Sequence, residues 1–596
     1  MDRNFILAIA LSMGVIILWE ALVAGPQREA MEAARRAAGE QTEQATPGEA
    51  ADFGAVIGTR PAVTIEEALA AAPRRIPVET PSLVGSINLA GARIDDLRLK
   101  NYRETVEPDS PMIRLLSPEA TEHGHFVQQG WFVGSASDRT ALWSAPEGAQ
   151  LTPETPVTLT RRAGGLVFEK TIAVDEKFMF TVSQTVRNEG GEPATITPYG
   201  LVVQRGVPNN LQNFMILHEG PIAVIGKALY ERKYKKAISN EIRAEGDQGW
   251  VGITNKYWLA AAIPPQGERF NAVMRNVGGP ERPVFQASYA LSPRTLAPGE
   301  TATLTSYLFG GAKDVDILRS YEKPPEKGGL GIARFDSAVD WGKFFYWATR
   351  PIFTVLDFLG DRTGNFGVAI LLLTLIIKIL LFPLANKAYE MTAKMKKLQP
   401  QLEQLKARYG DDKMKLQQEM MALYQKEKLN PVTGCLPIFV QMPIFYALYK
   451  TLFVTIELRH EPFILWIRDL SAPDPTTIFN LFGLLPYDPT ALPLIGAFLG
   501  VGVLPLLMGV AMWFQMKLNP PPADPIQAQV FALMPIIFTF LFASFAAGLV
   551  LYWFWNTLLS IGQQWIIMKR NGVEVDIAAN LGLSRFAKKT PPAAGK

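Results

Sequence analysis

The sequence predicts an α-helical polytopic membrane protein of about six transmembrane helices, with an all-β sandwich domain on the outer side and a helical hairpin on the inner side. Three observations predict it. Long apolar runs concentrate after residue 350, the stretch 76–315 alternates with a period of two, and positive charge gathers in particular loops between the runs. The averages conceal this division: 596 residues, 48% hydrophobic and 19% charged, describe an almost soluble chain. A net charge of +3 gives no global argument for nucleic acid, so no direct nucleic-acid readout is expected.

The first element is the apolar run Phe5–Trp19, preceded by Arg3 and extended past Glu20 by Ala21–Ala24. A cleaved signal peptide is one reading. The absence of a clean A-x-A site and a length approaching the roughly 20 residues of a span favour an uncleaved signal anchor over 1–24. Residues 25–75, rich in Ala, Glu, Gln, Arg and Pro with little periodicity, read as a flexible tether.

The β domain is expected over 76–320. Phe178, Phe180, Val182, Gln184 and Val186 fall on one face of a strand, and Met179, Thr181, Ser183 and Thr185 on the other. Leu166–Val174 and Thr301–Phe309 alternate similarly, with Gly, Pro and Asn clusters between runs, which argues for a large sandwich. Residues 335–360 mix aromatic and charged side chains in the manner of an amphipathic helix lying in the membrane interface, with Trp341, Tyr346 and Trp347 at headgroup depth.

Five long apolar segments follow within 361–570, at 365–384, 436–458, 492–516, 530–546 and 549–568, the last two separated by a turn at Gly548. Between the first two, 385–430 reads as an amphipathic hairpin. Ala388, Met391, Met395, Leu398, Leu402, Leu405 and Tyr409 form a seam, Pro400 should kink the first helix, Gly410-Asp411-Asp412 turns, and Leu416, Met420 and Leu423 continue on the return helix. The hairpin carries ten Lys/Arg, the tail after residue 568 carries six, and the loop 459–491 carries two. Positive-inside then places the hairpin, the basic tail 571–596 and both termini in the cytoplasm, with the β domain outside.

Chemistry is sparse. There is no Ser/His/Asp set, no H-E-x-x-H, no phosphate loop and no intramembrane carboxylate pair, so an enzyme is not expected and no catalytic residue is assigned. One cysteine, Cys435, excludes an intramolecular disulfide, and His123-x-His125 lacks both further ligands and helical spacing, so no metal and no cofactor are expected. Lys378 is the informative residue. It interrupts an apolar span one turn after Thr374, roughly 9 Å from the cytoplasmic end at 1.5 Å per residue. At that depth it either faces protein or water, or snorkels back to the headgroups. Gln441, near Pro443, is a second buried polar candidate, and Lys450 in the same span reads as snorkelling outward.

At this point the chain resembles a known family. Thr374-x-x-x-Lys378-x-x-x-x-Pro383-Leu384, Lys394-Met395-x-x-Leu398-Gln399-Pro400, Gly410-Asp411-Asp412 and Glu419-Met420-Met421-Ala422-Leu423-Tyr424 are similar to motifs of the YidC-type membrane protein insertases. So are Asn430-Pro431-x-x-Gly434-Cys435-x-Pro437, Gln441-Met442-Pro443-Ile444-Phe445, Leu465-Trp466-Ile467-x-Asp469-Leu470 and Gly548-Leu549-Val550-Leu551-Tyr552. The ordered matches cover about 335–570, and a β domain behind a signal anchor looks like the periplasmic domain of the Gram-negative members. The resemblance implies an inner-membrane insertase and chaperone with a hydrophilic groove open to cytoplasm and lipid. Its implied partners are nascent membrane proteins and the lipid bilayer, with the Sec translocon and the ribosome or targeting machinery on the cytoplasmic side. Lys378 stands where the family has arginine, which retains the charge but not the guanidinium fork. Met442, Phe445, Tyr552 and Trp553 match substrate-contacting positions, Trp553 replacing the usual tyrosine and Ala546-Ala547 a Pro-Ser pair.

Two readings of other classes compete. A secondary transporter could use Lys378 as an ion or proton relay, although the inverted repeats such folds carry are not evident in the sequence. A tethered carbohydrate-binding or scaffold protein would place function in the sandwich.

Overall fold

Alternating apolar and polar side chains build the first half of the molecule. Eight strands suffice to describe it: β1 His125–Val133, β2 Leu166–Val174, β3 Met179–Asn188, β4 Ala194–Arg205, β5 Gly249–Thr254, β6 Trp258–Ile263, β7 Val284–Leu291 and β8 Thr301–Ala312. The computed structural model describes residues 62–572 apart from 213–216, 343–345, 411, 428–435, 483, 486, 488, 490–491, 493–495 and 520–524. The signal anchor, the tether as far as residue 61 and the tail from 573 lie outside the described residues, as do Asp411, Asn430, Pro431, Gly434 and Cys435 of the quoted motifs.

Among the described residues the strands form two sheets, one of 11 strands centred on β1-β4-β7 and one of 8 containing the order β5-β6-β8-β3-β2. Pairing is antiparallel throughout these strands, for instance Phe168 opposite Val186 and Leu304 opposite Gln184. The period of two in β3 buries Phe180, Val182, Gln184 and Val186. β4 packs on β5 and β6, and β5 on β7, so the inner faces meet as a sandwich. Trp131, Trp250, Phe168, Phe180 and Phe285 fill the space between. A polar knot is buried with them. Lys170 Nζ donates to Gln129 O at 2.6 Å and lies 4.6 Å over the Trp143 ring, while Asp138 Oδ1 accepts from Trp131 N and the Tyr199 hydroxyl.

The link out of the sandwich differs from the expected interfacial helix. Phe335–Ala338 is a 3₁₀ turn, and helix α1 is described over Tyr346–Thr363. Phe335 is buried edge-on against Trp250 and Phe309, so it seals the sandwich. Trp341, expected at headgroup depth, is buried as well, its Nε1 donating to Asp336 O and its ring 5.3 Å from Phe353. The amphipathic pattern here was satisfied by protein. Tyr346 and Trp347 do remain exposed.

The second half is helical: α2 Phe366–Leu380, α3 Phe382–Lys397, α4 Gln399–Tyr409, α5 Lys413–Lys426, α6 Leu436–Val454, α7 Val503–Leu518, α8 Pro525–Phe542 and α9 Ala547–Arg570. Several boundaries move from those expected. The segment 365–384 breaks at Leu381, where α2 and α3 meet at a 69° bend. Pro383 lacks the N–H that would bond the Ile379 carbonyl, so the helix restarts there. Pro400 does not kink a helix interior but sits in the first turn of α4, where no N–H is needed. The segment 492–516 is divided into Gly496–Leu499 and α7, and the final turn is formed by 543–546, which ends two residues before the expected Gly548. Asp412 caps α5 by accepting from Lys415 N, and Leu405 and Leu423 line one cleft between α4 and α5. Among the described residues no single helix is long and apolar enough to cross a membrane, and the bent pair α2–α3 is the one combination that passes that test together.

Candidate functional site

α9 is the helix against which the others assemble, contacting α2, α3, α6 and α7. Its first turn is fixed by Ala547 N and Gly548 N, which donate to the carbonyls of Ala472 and Leu470. From there Tyr552, Asn556, Ser560 and Gln564 recur every fourth residue, a polar line on an otherwise apolar helix.

Lys378 meets this line. α2 starts at the Asn365 cap, whose side chain accepts from Val368 N, and it buries Ala369, Ile370, Leu373 and Thr374. Leu372, Leu375, Ile376, Ile379 and Leu380 are exposed on the opposite side. Lys378 points inward instead, and its Nζ donates to Ser560 Oγ at 2.7 Å. Ser560 in turn donates to Asn556 O. Thr374 shares the helix and is buried, but its hydroxyl is engaged by the Ile370 carbonyl at 2.6 Å.

Eight residues nearer the start of α9, about 12 Å along its axis, Gln441 Nε2 donates to the Tyr552 hydroxyl at 2.8 Å. Beside this bond lies an aromatic wall. Phe445 stands edge-on to Trp553 with centroids 4.7 Å apart, and Trp553 is 5.1 Å from Phe542 and 6.2 Å from Phe538. Met442 is 57% exposed at the rim of this wall. A third contact, Gln564 Nε2 to Asn519 Oδ1 at 2.8 Å, continues the polar line toward α7.

Lys378, Gln441, Phe445, Tyr552 and Trp553 are thus brought onto three adjoining helices. Ser560, Gln564 and Asn519 were missed by sequence reasoning. A signal existed for two of them: Ser560 and Gln564, with Asn556, interrupt the last apolar run at helical spacing. Lys450 requires a correction. It does not snorkel: it is 1% exposed and its Nζ lies 2.7 Å from Asp340. An unpaired ammonium at that depth is costly, and the carboxylate is within reach of the bundle.

His125, half of the His-x-His pair, is buried in the sandwich with Nδ1 on Val203 O, and burial holds its imidazole down to about 4. Among the described residues no group of three or more His, Cys, Asp or Glu is placed to hold a metal ion.

Comparison with known proteins gives two family matches. Residues 75–355 match the model described as the YidC periplasmic domain, and residues 358–574 the model described as the 60Kd inner membrane protein. The chain is 49% identical to the membrane protein insertase YidC of Beijerinckia indica subsp. indica and 47% identical to that of Rhizobium etli, covering 99% of both chains in each case. Among solved structures, an active YidC insertase with its first transmembrane domain resolved is 19% identical, over 83% of this chain and 92% of that one, with a TM-score of 0.35.

Proposed function

The chain belongs to the YidC family of membrane protein insertases, and from that premise we propose that its insertion site is the polar groove bounded by α2, α6 and α9. The observation that carries this reading is the Lys378–Ser560 contact inside an otherwise apolar bundle. A cation held in a polar groove lowers the free energy of bringing a short polar or acidic segment into the membrane interior. The apolar part of the substrate then moves along Met442, Phe445 and Trp553 into lipid, driven by its own transfer free energy. Thr374, Gln441 and Tyr552 complete the lining of the groove, Gln441 and Tyr552 holding one another by their hydrogen bond.

The polar line also bears on the number of spans. α9 is 24 residues long, about 36 Å at 1.5 Å per residue, which is enough to cross a core of about 30 Å. The residues that lower its hydropathy are the ones that meet Lys378, Gln441 and Asn519. We infer six spans, with the α4–α5 hairpin and both termini in the cytoplasm and the sandwich in the periplasm, as the loop charges suggest. The lysine-rich hairpin would receive substrate from the ribosome or targeting machinery, and the Sec translocon would share the bundle's lipid-facing side. The transporter alternative is not carried forward, since the relatives matched over the full chain are named as insertases.

Photo-crosslinking from positions 378, 442 and 553 to a nascent single-span protein tests the groove. Crosslinks from all three are expected, and their absence from all three would contradict it.

A further inference from the structure

The outer end of α6 is fastened at one partly buried carboxylate. Lys450 Nζ lies 2.7 Å from Asp340 Oδ2, and the same oxygen accepts the backbone N–H of His218, from the β domain, at 2.7 Å. One residue on, Thr451 Oγ1 donates to Thr349 O of α1 at 3.3 Å. The chain around Asp340 rests directly on α6: at Gly342, whose φ is 81°, an added Cβ would come within 3.2 Å of the Tyr446 hydroxyl and 3.7 Å of Lys450 Cε. The β domain, α1 and α6 therefore meet at this point.

The inner end of the same helix is fastened separately, by Gln441 on Tyr552. Pro443 lies between the two fastenings and removes the hydrogen bond to the Phe439 carbonyl, so α6 is softest in the stretch that carries Met442 and Phe445. A buried ion pair adds little net stability compared with a well-packed apolar pair, because desolvation offsets the attraction. What it does supply is one defined geometry, since neither charge tolerates being left unpaired.

We propose that the Asp340–Lys450 pair is a positioning device that fixes the pose of α6 against the β domain, and through it the presentation of Gln441, Met442 and Phe445 to substrate. The proposal rests on the groove reading above. Asp340 and Lys450 touch no substrate; they act through the helix.

The test uses full-length protein and photo-crosslinking to a nascent single-span substrate from position 442, on α6, and position 553, on α9. The double variant Lys450→Met/Asp340→Asn removes both charges of the pair at once, so neither member is left without the other. It is expected to accumulate in the membrane and to keep its crosslinks from 553, while those from 442 fall about fivefold or more, because small misplacements of contact groups are costly. Unchanged crosslinking from 442 would overturn the proposal. So would an equal loss from both positions, which reports general unfolding. Should the double variant fail to accumulate, Asp340→Glu, which keeps the charge and moves the carboxylate by one methylene, is read in the same way: a loss confined to 442 supports the device and no change overturns it. Wild-type protein that crosslinks from neither position contradicts the groove itself, which is a separate result.

Discussion

Lys378 and Ser560 are 182 residues apart in the chain, yet the ammonium of one donates to the hydroxyl of the other at 2.7 Å. The contact joins α2 to α9 and places a cation beside a line of hydroxyl and amide side chains. The opposite face of α2 carries exposed Leu375, Ile376, Ile379 and Leu380, so one short helix separates a polar environment from an apolar one. That asymmetry is what the proposed groove, open toward lipid, requires.

Tyr552→Phe removes the acceptor of the Gln441 amide while preserving the ring. Interhelical hydrogen bonds in membranes average about 0.6 kcal/mol and reach about 1.7. A loss of about 1 kcal/mol in thermal unfolding in detergent is therefore expected. The Phe445 and Trp553 contacts, which need only the apolar rings, should survive, and a substrate crosslink from position 553 checks that they do.

Gly311 in β8 lies under Phe178. A Cβ placed there would stand 2.2 Å from Cγ of that ring, itself packed against Phe309. Gly311→Ala should therefore destabilise the sandwich by about 1–3 kcal/mol, as overpacking of a filled core does. The readout is the unfolding transition followed by tryptophan fluorescence, with Gly279→Ala as the control, since a Cβ there meets nothing within 4 Å.

The β domain should grow more stable as pH rises from about 8 toward 10. Burial lowers the ammonium groups of Lys170, Lys256 and Lys313 to about 8, against 10.5 when unfolded. Within that interval the unfolded chain binds more protons, so raising the pH favours the folded state. Above about 10 the sign reverses: burial pushes up the phenols of Tyr234 and Tyr289, and the unfolded chain loses protons that the folded one keeps. A thermal midpoint that rises by a few degrees from pH 8 and then falls is expected, on the order of 2–4 °C per kcal/mol for a domain of this size.

The sandwich was legible because its strands bury one face, and a period of two follows directly from that geometry: Phe180, Val182 and Val186 are where alternation puts them. Lys378 was legible because an ammonium inside an apolar run is costly wherever it points. Its partner was not, since a serine in a helix is unremarkable until another chain segment lies beside it. The same limit hid Asp340, which belongs to an amphipathic stretch that reads equally well as interfacial or as packed on protein. Trp341 and Phe335 went to the protein core for that reason, and Lys450, taken alone, resembled a residue reaching for the headgroups. Hydropathy likewise located apolar segments but not the bend at Leu381, which a single proline decides.

The measurement that bears most directly on the electrostatic groove is insertion of paired single-span substrates, one with an acidic tail and one with a neutral tail, by the Lys378→Arg and Lys378→Glu variants. Attraction by a point charge requires that Lys378→Arg inserts both, and that Lys378→Glu slows the acidic tail about tenfold or more, ~1.4 kcal/mol, while the neutral tail changes little. Equal insertion of the two tails by Lys378→Glu would contradict the account.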